Sequence, residues 1–203
     1  MKAVIFDCFG VLYGGSLFAL LNMAPPDKRN QVVDLNRQND YGFLSFDDYV
    51  KGLAELLGKS YDEIIDIFKH KRVRNQPLFD FIAEIRSPQV KIGLLTNAGR
   101  DMPGALFSEQ ELQGGFFDGY VVSSECGLVK PNPDVYKLLA DRLQVPVGDC
   151  VMVDDAFENC HGAEAAGMQA VWYADNETAK THVREFLAHA WITRSRNNPR
   201  RTQ

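Results

Sequence analysis

Short β-branched and apolar runs recur along this chain, and each stops on polar residues able to do chemistry. They occupy 3–7 (AVIFD), 91–97 (KIGLLTN), 119–124 (GYVVSS), 150–155 (CVMVDD) and 169–173 (QAVWY). Each is apolar nearly throughout, the pattern of strands covered on both faces in a parallel sheet. Between the later runs the period becomes helical. Leu78 to Arg86 and Asp134 to Leu143 carry apolar residues three and four apart, and Glu158 to Ala166 is alanine-rich with Gly167 placed to cap its C-terminus. Strands alternating with helices predict an α/β fold, a doubly wound parallel sheet. In such sheets functional groups gather at the carboxyl ends of the strands. Asp7, Thr96, Asn97, Ser123, Asp154 and Asp155 all fall at such ends.

From about Tyr13 to Gln76 the alternation stops, and only helix starts remain. Pro25-Pro26-Asp27 opens one helix, Ser45-Phe46-Asp47-Asp48 a second, and Ser60-Tyr61-Asp62-Glu63 a third in capping-box form. The second places Phe46, Tyr49, Val50, Leu53, Leu56 and Leu57 on one face, with Gly58 after it. A helical insertion directly after the first strand reads as a small cap over a site at the strand ends. The expected organisation is a discontinuous α/β core over 1–13 and 77–190, a helical cap over 14–76, and a flexible basic tail over 191–203 that carries four arginines.

Length and charge narrow the classes. The 203 residues suffice for one core plus a small subdomain. A formal net charge of −5 is opposite to that of a general nucleic-acid binder. No apolar stretch approaches the ~20 residues that span a bilayer, and Met1-Lys2 leads directly into a strand, so neither a membrane span nor a signal peptide is expected. Cys8, Cys126, Cys150 and Cys160 form no CxxC pair and read as reduced thiols of a cytoplasmic protein.

Four pieces stand in order: Asp7 in FDCFGVL, Thr96-Asn97 in LLTNAGR, Lys130 in GLVKPNPDVY, and Asp154-Asp155 in VMVDDAFEN. A carboxylate can attack phosphorus to give an acyl phosphate. Two or three carboxylates with a backbone carbonyl suit Mg²⁺, a hard ion that prefers oxygen. A hydroxyl, backbone N–H groups and a lysine can hold phosphoryl oxygens and offset charge as it builds. Together they describe a phosphoryl-transfer site.

This order of motifs, with KPNPDVY and DDAFENCHGAEAAGM as flanking contexts, resembles the haloacid dehalogenase-like (HAD) hydrolase superfamily over nearly the whole chain. The resemblance implies a Rossmann-like core with an α-helical cap inserted after the first motif. It implies that Asp7 is the nucleophile, that Thr96 and the Asn97 backbone N–H hold the phosphoryl group, and that Lys130 pairs with Asp7 and that group. It also implies Mg²⁺ held by Asp7, the Phe9 backbone carbonyl, Asp154 and Asp155, with Asn159 in support. The substrate so implied is a small phosphorylated metabolite. His161 matches no position of the family.

Most phosphatases of this superfamily carry a second Asp two residues after the nucleophile, as the acid and base of the reaction; here that residue is Phe9. A phenyl ring transfers no proton, and losing a positioned acid–base group costs about 10²–10⁴ in rate. Short-cap branches resembling sugar and metabolite phosphatases also lack this Asp, so a phosphatase favouring good leaving groups is the leading expectation. Dehalogenases place an aromatic residue here, but paired Asp154 and Asp155 would repel Asp7 without a cation. A phosphometabolite-binding or regulatory protein is the third reading. Tyr13, Tyr41, Arg100 and Phe157 are candidates for the mouth of the site, and Lys69, Lys71, Arg72 and Arg74 read as a solvated basic face.

Overall fold

A computed structural model describes residues 1–196. Five strands form one sheet: β1 (Lys2–Phe6), β2 (Val90–Thr96), β3 (Gly119–Val122), β4 (Cys150–Asp154) and β5 (Gln169–Trp172). Their spatial order is β3-β2-β1-β4-β5, and every pairing is parallel. The sheet is therefore Rossmann-like and doubly wound, as the alternating pattern predicts. The GYVVSS run ends sooner than its apolar pattern suggests: Ser123–Cys126 turns into one helical turn, closed by Gly127 in the left-handed region.

Side chains of one strand alternate between two cores. Val4 and Phe6 of β1 join Ile92, Leu94, Val151 and Val153 on one face; Ala3 and Ile5 join Leu95, Val121 and Met152 on the other. Both faces are covered, which is why the strands carry no polar alternation.

Ten α-helices flank or interrupt the sheet among the described residues. Four follow β1: α1 (Leu17–Met23), α2 (Arg29–Asp40), α3 (Phe46–Leu57) and α4 (Tyr61–Lys71). Next come α5 (Gln76–Ile85), α6 (Met102–Leu106), α7 (Ser123–Cys126), α8 (Pro133–Leu143), α9 (Phe157–Ala166) and α10 (Asn176–Arg196). α5 and α10 pack on the first face of the sheet, through Phe79, Phe81, Val183 and Phe186; α8 and α9 pack on the second, through Tyr136, Leu139 and Ala163. α10 runs to Arg196, and the rest of the expected tail lies outside the described residues. No helix among the described residues is long and apolar enough to cross a membrane.

Helices α1–α4 bury a cluster of their own, built on Leu20, Val32, Tyr49, Val50, Leu53, Ile64 and Phe68. Their ends follow the local signals. Ser45 Oγ accepts from the Asp48 N–H at 3.1 Å, and Ser60 and Glu63 complete a reciprocal capping box. Gly58 ends α3 with φ of 62°, a conformation an L side chain rarely adopts. α1 has Ser16 at its N-cap but no side-chain cap bond, and it packs Leu20 into this cluster.

Leu53→Ala should cost about 2–5 kcal/mol, the range for emptying a filled aliphatic site. Denaturant unfolding of wild type and variant checks this, with a lower midpoint expected for the variant.

Candidate active site

Parallel pairing brings the polar ends of β1, β2 and β4 to one edge of the sheet. Asp7 follows the last residue of β1, and its N–H still donates to the Val153 carbonyl at 2.9 Å, which fixes the backbone beside β4. Asp154 closes β4 and is fully buried. Lys130, on the loop between α7 and α8, reaches in between them. Its Nζ donates to Asp7 Oδ1 at 2.7 Å, Asp154 Oδ2 at 2.6 Å and the Leu95 carbonyl at 3.1 Å. The Lys130 side chain is only 1% exposed, so all three ammonium donors are satisfied by protein.

Asn97 and Asn159 hold this triad in place. The Asn97 side chain accepts from the Lys130 N–H at 2.9 Å and donates to the Lys130 carbonyl at 3.0 Å, clamping the lysine backbone. The Asn97 amide is thereby spent, leaving its backbone N–H for other use. Asn159 Nδ2 donates to Asp154 Oδ1 at 2.9 Å, and the Ala156 N–H donates to the same oxygen at 3.0 Å. Asp154 is thus held through both oxygens.

Asp155 stands beside the triad on the solvent side. Asp7, Asp154 and Asp155 each offer a carboxylate oxygen, all within 4.8 Å of one another. Gly10 makes room for this approach: a Cβ there would lie 2.1 Å from Asp155 Oδ2, and its φ of 93° is glycine territory. Three carboxylates against one ammonium leave two negative charges uncompensated. Burial, opposed by Lys130 and reinforced by Asp154, raises the Asp7 pKa; burial and Asp154 raise that of Asp155. Burial alone would lower the Lys130 pKa, but Asp7 and Asp154 outweigh it and hold the ammonium charged. A hard, all-oxygen donor set with a surplus of two charges fits Mg²⁺.

A cavity of about 630 Å³ opens above these groups, between the strand ends and the helices α1–α4. Asp7, Phe9, Lys130 and Asp155 line its floor. Leu17, Phe18, Leu21 and Phe46 line the opposite wall. Thr96 is buried at the end of β2 and does not line the cavity; its Oγ1 has no hydrogen-bond partner.

The four candidates for the mouth do not line the cavity. Tyr13 is buried and donates to the Leu106 carbonyl at 2.7 Å. Tyr41 stacks on Phe43, Phe157 stacks on Trp172, and Arg100 donates to the Ser124 carbonyl at 3.4 Å. Of the basic run, Arg72 does line the cavity, with its guanidinium 4.1 Å from the Phe68 ring centroid. Arg74 instead pairs with Glu111 at 2.8 Å.

Asp40, at the end of α2, lines the same cavity and escaped the sequence reading, where it looked like an ordinary polar helix end. Its Oδ2 accepts from Asn36 Nδ2 at 2.8 Å, and it makes no ion pair among the described residues. Burial pushes its pKa from 3.8 up to about 7, against the lowering effects of Asn39 and Lys130.

With this geometry established, comparison with known proteins is informative. The family model for haloacid dehalogenase-like hydrolases matches residues 1–167. The chain belongs to the haloacid dehalogenase-like hydrolases. Among curated relatives, the sesquiterpene phosphatase astK of Aspergillus oryzae is 23% identical over 193 residues, covering 92% of this chain and 96% of that protein. Human N-acylneuraminate-9-phosphatase is 32% identical over 124 residues, covering 58% of this chain and 49% of that protein. Among solved structures, a HAD family enzyme of Bacteroides thetaiotaomicron aligns with a TM-score of 0.68 at 17% identity, over 85% of this chain and 93% of that one. The same enzyme, crystallised with magnesium and inorganic phosphate, gives 0.66 at 16% identity over 87% and 96%. An L-2-haloacid dehalogenase gives 0.62 at 18% identity over 86% of each chain. At such identities the structural likeness shows the HAD fold alone.

Two outcomes follow from the charges. Millimolar Mg²⁺ should raise the melting temperature of the wild type but not of Asp154→Asn, since an ion binding only the folded state stabilises it; thermal-shift titration reads this, and a flat wild-type response would count against the metal site. The second concerns Asp40. A carboxyl whose pKa is raised on folding costs stability once pH exceeds its unfolded value, and the cost is complete above the folded value. Asp40→Asn cannot ionise, so between pH 5 and pH 8 it should gain roughly 1–3 kcal/mol relative to the wild type. Denaturant unfolding at both pH values measures this gain.

Proposed function

We propose that this hydrolase is a Mg²⁺-dependent phosphatase that acts on a small phosphorylated metabolite through an aspartyl phosphate on Asp7. The observation that carries the reading is the cluster of Asp7, Asp154, Asp155 and buried Lys130 on one sheet edge beneath an open cavity. Asp7 Oδ attacks phosphorus, and the alcohol leaves with its oxygen. Water then attacks the aspartyl phosphate, releasing inorganic phosphate and restoring Asp7. Lys130 holds Asp7 and offsets charge on the phosphoryl oxygens as they approach. The Asn97 N–H would hold those oxygens, with the Asn97 amide fixing the lysine loop; the Thr96 hydroxyl, buried outside the cavity lining and without a partner, would have to turn to reach them. Asp7, the Phe9 carbonyl, Asp154 and Asp155 would hold Mg²⁺, which supplies charge neutralisation and orientation for the phosphoryl group. Asn159 acts through Asp154 as a positioning residue.

In this reading residues 14–76 are a cap that roofs the site. Its apolar lining residues, Leu17, Phe18, Leu21 and Phe46, leave room for a substrate whose phosphate is joined to a partly apolar body, although Asn36, Asp40 and Arg72 line the same cavity. The name of the Aspergillus relative, a sesquiterpene phosphatase, is in keeping with such a substrate. The four unpaired cysteines support a cytoplasmic, reducing location. The acidic cluster disfavours carbon–halogen chemistry, which needs no cation to offset it.

Initial rates on an aryl phosphate, with Mg²⁺ or with chelator, test the proposal beside Asp7→Asn. Phosphate release should require Mg²⁺ and should fall by on the order of 10³-fold or more in the variant. Release indifferent to both would sink the reading. Phosphate binding without turnover would instead favour a binding or regulatory protein.

A further inference from the structure

Phe9 leaves the nucleophile's own loop without an acid, so any proton for the leaving group must come from elsewhere. Four carboxyls line the cavity: Asp7, Asp40, Asp101 and Asp155. Asp7 and Asp155 belong to the acidic cluster around Lys130, and Asp101 is exposed to solvent. Asp40 is partly buried, stands outside that cluster and lines the site from the helical insertion.

Its position is anchored to the core. The Asp40 carbonyl accepts from Ser123 Oγ at 2.5 Å, and Ser123 Oγ accepts from the Ala98 N–H at 3.1 Å. Ala98 follows Thr96-Asn97 directly, so two hydrogen bonds tie the end of α2 to the loop proposed to hold phosphate. Gly42 permits this docking: a Cβ there would lie 2.7 Å from the Ser124 carbonyl oxygen. The carboxyl itself is oriented by Asn36, whose Oδ1 in turn accepts from the Tyr49 hydroxyl at 2.9 Å. Backbone and side chain are therefore both fixed, as a group that acts on a reacting atom requires.

We infer that Asp40 is the general acid and base of the reaction, supplied by the insertion in place of the residue that Phe9 displaces. In the first half-reaction the Asp40 carboxyl gives its proton to the leaving oxygen as the P–O bond to the substrate breaks and the bond to Asp7 forms. In the second, the Asp40 carboxylate takes a proton from the attacking water as the P–O bond to Asp7 breaks, and the acid is regenerated. A pKa of about 7 leaves both protonation states populated at neutral pH, the condition for serving in both directions. With Asp40 in this role, alkyl phosphates become substrates as well as those with good leaving groups.

The inference rests on the phosphatase reading, and one experiment separates the two. With the full chain and Mg²⁺, kcat/KM is measured for phosphate esters whose leaving groups run from nitrophenol to a simple alcohol, in wild type and Asp40→Asn. The wild type should depend weakly on leaving-group acidity. Asp40→Asn should lose about 10²–10⁴ on the alkyl ester, but less than about tenfold on nitrophenyl phosphate, so that the dependence steepens. A purely structural defect would lower both substrates alike, and that result, or no change in either, would overturn the assignment while Asp7-dependent release kept the phosphatase reading intact. A steep dependence in the wild type would overturn it without any variant, so the test stands even if Asp40→Asn fails to fold. Absence of hydrolysis of every ester by the wild type would remove both readings together.

Discussion

The Lys130 ammonium, bonded at 2.7 Å and 2.6 Å to two buried carboxylates, is the contact on which the site depends. The lysine offsets the cost of burying both carboxyls, because a buried charge lacking its partner costs several kcal/mol. The same contact ties β1 and β4 to a loop that lies between two helices far along the chain. Asn97 and Asn159 serve that geometry: Asn97 clamps the lysine backbone, and Asn159 with the Ala156 N–H holds the far oxygen of Asp154. Such a buried pair adds little net stability compared with apolar packing. Its value lies in a lysine whose charge is fixed in place before any anion arrives.

That cluster is deliberately unbalanced. Asp155 adds a third carboxylate where one ammonium already serves two, and Gly10 lacks a side chain so that it can approach. A divalent cation would restore neutrality, and an incoming phosphate dianion would then meet a site whose charge is no longer repulsive. The cavity above has two characters. The strand-end residues in its lining are mainly charged; those of the insertion are mixed, with Leu17, Phe18, Leu21 and Phe46 beside Asn36, Asp40 and Arg72. In the proposed reading chemistry falls to the sheet edge and much of recognition to the insertion, the two joined by the contact of α2 with Ser123 and Ser124. The proposed role for Asp40 breaks that division at one point, where the insertion reaches the reacting centre itself.

The strands, the helices that cover them, and the polar residues at the strand ends were legible in the sequence because each is a local signal. Apolar runs without alternation imply two covered faces, and a parallel sheet places all their ends on one edge. Capping at Ser45 and Ser60 and the glycine ends at Gly58 and Gly167 were legible for the same reason. Boundaries were less so: the β3 run turns helical at Ser123, and Ser16 begins α1 without making a side-chain cap bond. Tyr13, Tyr41, Arg100 and Phe157 looked like mouth residues from their nearness to motifs, yet each packs or bonds elsewhere.

What the sequence determined by itself is the family, the order of the strands' polar ends and the residue types that meet there, since these depend on period and on motifs a few residues long. Tertiary structure alone decided which way those side chains are spent. The Asn97 amide turns to the lysine backbone, the Thr96 hydroxyl is left without a partner, and Arg72 reaches the cavity while Arg74 pairs with Glu111. It also decided that Asp40, thirty-three residues from Asp7 and in no motif, lines the same cavity as Asp7. The reason is physical: hydrogen-bond choice, burial and charge are set by groups distant in the chain, and only the packing of the insertion on the sheet edge brings those groups within reach.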